Sequence, residues 1–525
     1  MNQYVFEEER PVVDTKCGKI RGIAYGGVNI FMGIDYAKAK RFQMPVEIEP
    51  WEGIKNAYQH GPISKQVLKL KPFIPTGDFT CWRKKVKTAR TLISGLQRVE
   101  QRKKPVFVWI HGGGFFGGNA FEEYSFEGAN LARHGDIIFV SINHRLNILG
   151  HLNLDQYGEE FKDSPNVGIA DLVVAMKWIN ENIAAFGGDP ENVTICGHSG
   201  GGGKVQCLFQ LKDAAPYFQR GIVLSGARSD EAYHLDDGTA SRETAKKMMD
   251  YLGINKDNIQ KVYDVPYEDL CEALKATGSN PFDWSPVPND YFPGFPAEVG
   301  LMPFSKDKPI IYGSVLGEMP TVKLTYEEKL ALNEDEEGKL AYLKDRYGDS
   351  CETLMELFRK AYPDHDILDL AYMDSRCRRA AVKSVRTHMK AGCNKVYNFL
   401  ASYTVPEGGR IPIWHGGEVA YIFRNEDRVY VLNEEKYGQQ YSETLSTMVL
   451  NFVRNGDPNC EYLPQWHPCE EDRINTMIID RECREVTNHD LELVELFDKV
   501  NPKFVLKFRF KNKKMQLFYH ADGRN

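Results

Sequence analysis

The stretch Asn192-Val-Thr-Ile-Cys-Gly-His-Ser-Gly-Gly-Gly202 decides the fold. Its apolar, β-branched start is typical of a buried strand, and a helix-compatible sequence continues through Leu211. Between them lies the pattern G-x-S-x-G, whose small neighbours let a serine occupy a sharp, strained strand-to-helix turn. The stretch therefore predicts a strand, a turn and a helix, with Ser199 exposed at the turn as a candidate nucleophile. In a chain with 45 glycines an ordinary glycine-rich turn is the alternative, so the surroundings decide between the two interpretations.

A second glycine-rich loop, Trp109-Ile-His-Gly-Gly-Gly-Phe115, follows another apolar run. Backbone N–H groups in such a loop can approach a developing negative oxygen. A flexible loop or a phosphate-binding loop is the alternative, but the G-x-x-x-x-G-K-[ST] pattern of a phosphate-binding loop does not follow. We therefore expect Gly113, Gly114 and Gly200 to supply the N–H donors of an oxyanion hole.

The remaining pattern indicates an α/β fold. Three short runs are predicted as buried strands: Val106–Ile110, Ile137–Ile142 and Val193–Cys196. Apolar residues recur at helical spacing from Asp171 to Phe186, between the last two runs, so strand, helix and strand predict a mostly parallel sheet flanked by helices. After about residue 230 the chain becomes helical and charged, as in 327–347 and 350–362, which predicts helical excursions over the sheet and around a pocket.

Composition excludes several classes of protein. Apolar residues make up 42% of the 525 residues, charged residues 26%, and the net charge is −7, values that fit a globular protein and give no indication of nucleic-acid binding. No apolar run is long enough to span a membrane. The first ten residues lack the pattern of a secretory signal, and the eleven cysteines lack metal-ligand pairs, so we expect a cytoplasmic chain with reduced thiols and no metal. Without repeats or linkers, residues 1–525 are predicted to form a single domain.

The sequence resembles the type-B carboxylesterase and cholinesterase family, which has the α/β-hydrolase fold. The similarity extends over nearly the whole chain and includes five further segments: Phe31–Ala37, Asn143–Leu146, Trp178–Pro190, Ser225–Gly226 and Asn451–Asn459. The resemblance implies a serine esterase that forms an acyl-serine intermediate, needs no cofactor and acts on a small-molecule ester.

The resemblance also implies the partners of Ser199. In this fold the chain order of the triad is serine, acid and histidine. Six histidines follow residue 318, but only His415, in the segment 414–423, lies in a stretch similar to the family's histidine loop. The acid corresponds to Glu318. A structural histidine and a surface carboxylate are the alternatives for these two residues.

The sequence departs from the family pattern at two places beside the serine. Family members usually have Glu and Ala there, whereas this chain has His198 and Gly200. Gly200 still has an N–H to donate, but His198 removes an acidic charge associated with the cholinesterases. A counterpart of their choline-stacking tryptophan was not found either, so a choline ester is a poor candidate substrate.

The larger departure is the atypical segment 67–102. Here the family has a stretch resembling Ser-Glu-Asp-Cys-x-x-Leu-Asn-x-Trp-Thr-Pro, which forms a strand beside the core. This chain is basic from Lys84 to Gln97 and lacks strand alternation, so the strand is expected to be missing. A shifted reading frame of 86–97 can encode very nearly the family motif, and we offer a pair of compensating frameshifts as one hypothesis and a divergent basic loop as the other. In either case the neighbouring strands would lose a partner.

These observations predict a serine carboxylesterase with Ser199, Glu318 and His415 as its triad. The alternative is a catalytically impaired or non-catalytic relative that serves as a binding protein.

Overall fold

In this computed structural model, eleven strands of the described residues lie side by side in one sheet. The model describes residues 10–66, 90–96, 103–229, 236–279, 284–319, 322, 324, 326–405, 411–429, 431–500, 504–511 and 514–521, with the backbone alone for 90–96, 326, 327, 329, 504–511 and 514–521. In chain order the strands are β1 (Ile23–Tyr25), β2 (Val28–Asp35), β3 (Arg90–Leu96), β4 (Lys104–Ile110), β5 (Ile138–Ile142), β6 (Gly188–His198), β7 (Arg220–Leu224), β8 (Ile310–Val315), β9 (Val396–Ala401), β10 (Asn475–Ile479) and β11 (Arg484–Thr487).

The strand order across the sheet is β11-β10-β9-β8-β7-β6-β4-β5-β3-β2-β1. Every pairing from β10 through to β5 is parallel, and antiparallel strands continue the sheet at both ends. Ile110 at the end of β4 is paired with Gly197 of β6, which is paired with Val223 of β7. Because parallel strands end at the same edge, the loops after β4 and β6 are neighbours there. The predicted mostly parallel α/β sheet is confirmed.

Helices cover the sheet on both sides. The longer ones are Val167–Asn182, Gly200–Gln210, Thr239–Tyr251, Tyr267–Thr277, Glu336–Tyr347, Cys351–Ala361, Arg376–Lys390, Tyr437–Asn455 and Leu491–Val500. Shorter ones are Ala129–Gly135, Asn147–His151, Pro296–Val299, Tyr326–Asn333, Asp369–Tyr372 and Gly417–Ile422. Within the described ranges, none of these helices is long and apolar enough to cross a membrane.

Smaller strands complete the structure. Val12–Thr15, Gly18–Arg21 and Ile54–Asn56 form a three-stranded sheet. Three two-stranded pairs are Ala37–Lys38 with Val46–Glu47, Thr404–Val405 with Ile411–Pro412, and the hairpin Phe504–Lys511 with Lys514–Ala521.

The core lies on both faces of the sheet, because the central strands are buried on both sides. The strand β4 alternates between two clusters: Val106, Val108 and Ile110 pack in one, and Phe107 and Trp109 pack in the other. All five side chains are fully buried. Strands that are buried on both faces have continuous apolar sequences, so they could be predicted from the sequence.

Two details of the predicted elements need correction. The helix predicted from Asp171 begins earlier, at Val167, and its last turn, Ile183–Phe186, is a 3₁₀ helix ended by Gly187 at φ 86°. The segment 327–347 is two helices rather than one. Its second helix starts where the Asp335 carboxylate accepts a hydrogen bond from the Gly338 N–H at 2.9 Å, the geometry of an N-cap.

The expectation that the atypical segment lacks a strand is wrong. Residues 90–96 form β3, which pairs antiparallel with β5 on one side and with β2 on the other. Both neighbours present unpaired backbone groups that only another strand can satisfy, and this requirement overrides the weak alternation of the local sequence. Residues 67–89 and 97–102 lie outside the described residues, and the frameshift stays a hypothesis.

Candidate active site

Ser199 occupies a strained turn between β6 and the helix Gly200–Gln210. Its backbone angles are φ 55° and ψ −126°, which a residue with a side chain adopts only when the surroundings enforce it. The Ser199 N–H donates to the Leu224 carbonyl at 2.8 Å, and the Ser199 carbonyl accepts from the Gly202 N–H at 2.9 Å. A Cβ on Gly226 would lie 2.0 Å from the Ser199 carbonyl oxygen, so the neighbouring loop needs glycine. These contacts hold the predicted turn in place.

The glycine loop after β4 lies directly against this turn. Gly113 and Gly114 have φ angles of 86° and 60°, and the Gly117 N–H closes the loop on the Gly113 carbonyl at 2.9 Å. A Cβ on Gly112 would lie 3.3 Å from Cβ of Ser199, and a Cβ on Gly200 would lie 2.4 Å from the Gly114 nitrogen. The loop and the helix start are therefore in backbone contact.

The three predicted oxyanion-hole donors are alike in the hydrogen bonding of their backbone N–H groups. In the described part of the chain, the N–H groups of Gly113, Gly114 and Gly200 donate to no protein acceptor. Gly200 is also the first residue of its helix, where the helix dipole places partial positive charge. The arrangement can stabilise a negative oxygen on a group bound to Ser199.

His415 and Glu318 meet although 97 residues separate them in sequence. The loop after β8 carries Glu318, and Gly317 forms a parallel bridge with Trp414. Nδ1 of His415 is 2.5 Å from Oε2 of Glu318, while Oε1 of Glu318 accepts from the Val315 N–H at 2.9 Å. The Glu318 side chain is fully buried. This pairing fixes Nδ1 as the donor and leaves Nε2 of His415 to accept a proton.

The environment of His415 favours its charged form. Burial alone lowers the pKa of His415, but the hydrogen bond and charge of Glu318, with a smaller contribution from the charge of Asp374, outweigh burial and raise this pKa above its ordinary value of 6.5. A proton taken up by His415 is therefore stabilised by nearby carboxyl groups.

The sequence did not reveal the position of the His198 side chain. Its ring lies 4.4 Å from the His415 ring, centroid to centroid, at an interplanar angle of 51°. Burial, followed by the charge of His415, lowers the pKa of His198 well below its usual value, so His198 is neutral. A Cβ on Gly416 would lie 3.0 Å from this ring. His198 thus links the turn of Ser199 to the loop of His415.

Sequence reasoning also missed two other groups at the site. Glu418 is buried, and burial together with Glu318 raises the pKa of Glu418 to about 8, so it is protonated at neutral pH. Oγ of Ser225 donates to Oε1 of Glu418 at 3.5 Å. Cys377 is buried with its Sγ 3.7 Å from the Ser225 carbonyl oxygen. Glu418 lies in the histidine segment that the sequence singled out, but Cys377 lies on a distant helix and gave no signal.

Ligand atoms of Glu318, Cys377 and His415 lie within 4.8 Å of one another, the spacing of a possible metal site. The 2.5 Å gap between Oε2 of Glu318 and Nδ1 of His415 argues against it. A zinc ion needs about 2.0 to 2.2 Å to each of its oxygen and nitrogen ligands, so an ion between these atoms would have to push them apart. The geometry is that of a hydrogen-bonded pair with a thiol beside it.

Comparisons with known proteins agree on one family. The model of the carboxylesterase family matches residues 9–494. The para-nitrobenzyl esterase of Bacillus subtilis is 28% identical over 500 residues, which cover 90% of this chain and 95% of that protein. The solved structure of an esterase from Clostridium hathewayi, which can hydrolyse aliphatic aromatic polyesters, superimposes with a TM-score of 0.87 at 35% identity and covers 95% of this chain and 100% of that one. Human neuroligin-2 is 26% identical over 86% of this chain and 61% of its own length.

Proposed function

Since this chain belongs to the carboxylesterase family and is a carboxylic-ester hydrolase, we propose that Ser199 is its nucleophile, His415 its general base and Glu318 the carboxylate partner of His415. The observation that carries this proposal is the 2.5 Å hydrogen bond between His415 and Glu318, in a site where His415 packs on the residue next to Ser199. The alternative is a catalytically impaired or non-catalytic binding protein. The complete set of triad residues in this chain supports catalysis instead.

The proposed reaction has two halves. Oγ of Ser199 attacks the ester carbonyl carbon while Nε2 of His415 takes the hydroxyl proton, and the carbonyl oxygen becomes an oxyanion. His415 then gives this proton to the alcohol oxygen as the ester C–O bond breaks, which leaves an acyl-serine. Water then attacks the acyl carbon while Nε2 of His415 takes its proton, and His415 returns this proton to Oγ of Ser199 as the acyl–Oγ bond breaks, which releases the carboxylic acid and restores the serine. Throughout, Glu318 stabilises the imidazolium.

The oxyanion is assigned to the N–H groups of Gly113, Gly114 and Gly200, which have no acceptor among the described residues. These groups lie on two elements in backbone contact, so their positions are fixed before substrate binds. Donors that need no reorganisation are the most effective stabilisers of a developing charge.

We further propose that the substrates are small uncharged esters with an aromatic part. Support comes from the para-nitrobenzyl esterase and from the Clostridium hathewayi enzyme, which acts on aliphatic aromatic polyesters. His198 and Glu418 border the site and are neutral at neutral pH, which gives a cationic alcohol group little attraction. The cytoplasmic location stays a prediction, to be checked by cell fractionation.

The test is hydrolysis of para-nitrophenyl butyrate by the protein and by Ser199→Ala. The variant is expected to lose activity by about 10⁶-fold, the effect of removing a nucleophile from a serine hydrolase. The control is Ser314→Ala, because Ser314 is buried in β8 of the same sheet and its hydroxyl has no partner among the described residues. Intact mass after treatment with a slow-turnover phosphonate should show one adduct on the protein and none on Ser199→Ala. Activity that survives Ser199→Ala would refute the proposal.

A further inference from the structure

A lysine lies in the interior directly behind the glycine loop. Lys204 belongs to the first turns of the helix that starts at Gly200, and its side chain is fully buried. Nζ donates to the His111 carbonyl at 3.2 Å, and this carbonyl immediately precedes the loop of Gly112 to Gly114. In the described residues this is the one hydrogen bond found for Nζ. The lysine therefore touches the peptide from which the loop begins.

No ionised carboxylate pairs with this lysine in the part of the chain that is described. Glu122 is close enough to act on its charge, but burial, followed by Glu123, raises the pKa of Glu122 to about 8, so Glu122 is protonated at neutral pH. The other charged neighbour is Arg228, which repels Lys204 and lies 5.0 Å from the centre of the Phe115 ring. A buried cation without a counter-charge costs several kcal/mol.

Neutral histidines form the rest of the surroundings. The rings of His111 and His144 stack at 4.9 Å, and His151 packs edge-on against Phe115 at 5.4 Å. Burial, with a contribution from Lys204, lowers the pKa of all three histidines. Cys207 is the remaining titratable group that acts on the lysine, and burial raises the pKa of its thiol above 9, so it too is uncharged at neutral pH. Among the described residues, no ionised group near Lys204 supplies a negative charge that would offset the cost of burying its ammonium group.

The reaction itself supplies a negative charge on the other side of the loop. We propose that Lys204 is a positioning residue of the esterase, whose buried ammonium group fixes the His111 carbonyl and stabilises the oxyanion through the glycine loop. This inference rests on the proposed assignment of the oxyanion hole. A buried charge is screened less than a charge in water, so the ammonium group can act on the loop whose preceding carbonyl it holds.

The proposal has a consequence for pH dependence. Burial, followed by Arg228, lowers the pKa of Lys204 to about 7. Lys204 is charged below this pH and loses its charge as the pH rises through it, whereas His415 must lose its proton to act as base. We therefore expect kcat/KM to be bell-shaped, with an acid limb from His415 and an alkaline limb from Lys204.

The first experiment is Lys204→Met, which keeps the length of the side chain and removes its charge. We expect kcat to fall by about 10- to 100-fold with KM nearly unchanged, less than the loss of a direct oxyanion donor. The Tm should stay the same or rise, because an unpaired buried cation has been removed. A residue that only supports the fold would instead lower Tm and kcat together.

Lys339→Met is the matched control. Lys339 is also buried, but its Nζ pairs with Glu336 at 2.6 Å and with Asp366 at 2.5 Å, on a helix outside the site. This variant should lower Tm and leave kcat unchanged. A kcat of Lys204→Met equal to that of the unmodified protein would overturn the proposal.

The second experiment is the pH profile of kcat/KM, in which the presence of the alkaline limb can be tested on the unmodified protein alone. The alkaline limb should be present in the unmodified protein and absent from Lys204→Met, while both keep the acid limb. A kcat/KM that stays flat from pH 7 to about 10 in the unmodified protein overturns the role of Lys204. Ser199→Ala separates this failure from a failure of the proposed function: if Ser199→Ala is inactive and the limb is missing, only the lysine assignment is wrong.

Discussion

Two histidines with largely buried side chains at the same edge of the sheet differ in their hydrogen-bond partners. His415 has one carboxylate, Glu318, on Nδ1. His365 has a carboxylate on each ring nitrogen: Asp369 lies 2.9 Å from Nδ1, and Asp480, directly after β10, lies 2.9 Å from Nε2. Burial opposes the charge of His365, but the two carboxylates outweigh it and raise its pKa to about 9.

The difference shows what separates the proposed catalytic histidine from a structural one. His365 has no ring nitrogen free to exchange a proton with a substrate, and it stays charged at neutral pH. His415 has Glu318 on Nδ1 and keeps Nε2 available, and its pKa is also raised. Both residues look alike in a list of histidines that follow residue 318, so the number of partnered ring nitrogens distinguishes them.

The largest effect is expected at His415. His415→Ala should reduce kcat for para-nitrophenyl butyrate by about 10⁶-fold, because the general base is lost. His365→Ala should leave kcat within a factor of two or so, since His365 touches no proposed catalytic group. Steady-state kinetics of the two purified variants measure this contrast. If both variants were equally impaired in kcat, the distinction between the two histidines would be refuted.

Glu318→Gln is expected to have the next largest effect. The amide preserves size but carries no charge to stabilise the imidazolium, and if its oxygen keeps the hydrogen bond from the Val315 N–H, its NH2 group faces Nδ1 of His415 and favours the wrong tautomer. We therefore expect kcat to fall by about 10⁴-fold while the protein still folds. Asp369→Asn, which changes the corresponding partner of His365, is the control and should affect stability alone. Circular dichroism spectra and kcat of both variants provide the measurement. Near-normal turnover in Glu318→Gln would remove Glu318 from the triad.

His365→Asn should instead destabilise the fold. The side chains of His365 and Asp369 are only 6% and 3% exposed, so loss of the cation leaves buried carboxylates unpaired and should cost about 3 kcal/mol at neutral pH. A pKa raised from 6.5 to about 9 gives stability that is fully present below pH 6.5 and is lost as the pH rises through 9. Urea titrations of the protein and the variant from pH 6 to about 10 should converge at the alkaline end. A constant difference across this range would contradict the assigned pKa.

The smallest expected effect concerns the acid limb of the pH profile, the pH range in which kcat/KM falls as the pH decreases. The pKa of His415 is raised, and His415 must be neutral to act as base, so kcat/KM should fall as the pH drops through a value above 6.5. Initial rates with a substrate whose own ionisation lies outside the range provide the measurement. A limb below pH 6.5 would show that burial, rather than Glu318, dominates the environment of His415.

The sequence predicted the parts of this molecule that depend on short stretches. The turn at Ser199 and the loop of Gly113 and Gly114 follow local rules, because a strand must end, turn sharply and present backbone N–H groups within a few residues. Glu318 and His415 came from a resemblance. Chemistry alone did not distinguish His415 from His365, since the ring partners that separate them lie on other loops.

What the sequence missed depends on contacts between distant segments. The strand 90–96 forms because β2 and β5 present backbone groups on both sides, a requirement that its own basic surroundings conceal. In the sequence Lys204 looks like an ordinary helix residue. Only the structure shows that its ammonium group donates to the His111 carbonyl. His198 was noticed as a departure from the family, but its stacking on His415 needed the histidine loop to be in place.

The contact between Gly200 and Gly114 also limits how this enzyme can be recombined with its relatives. Family members usually have alanine where this chain has Gly200, yet a Cβ there would lie 2.3 Å from the Gly114 carbonyl oxygen. A chimera that imports the alanine-containing segment alone would force the two backbones apart. Segments 112–118 and 197–203 therefore have to be exchanged together as one block, although more than 70 residues of sequence lie between them.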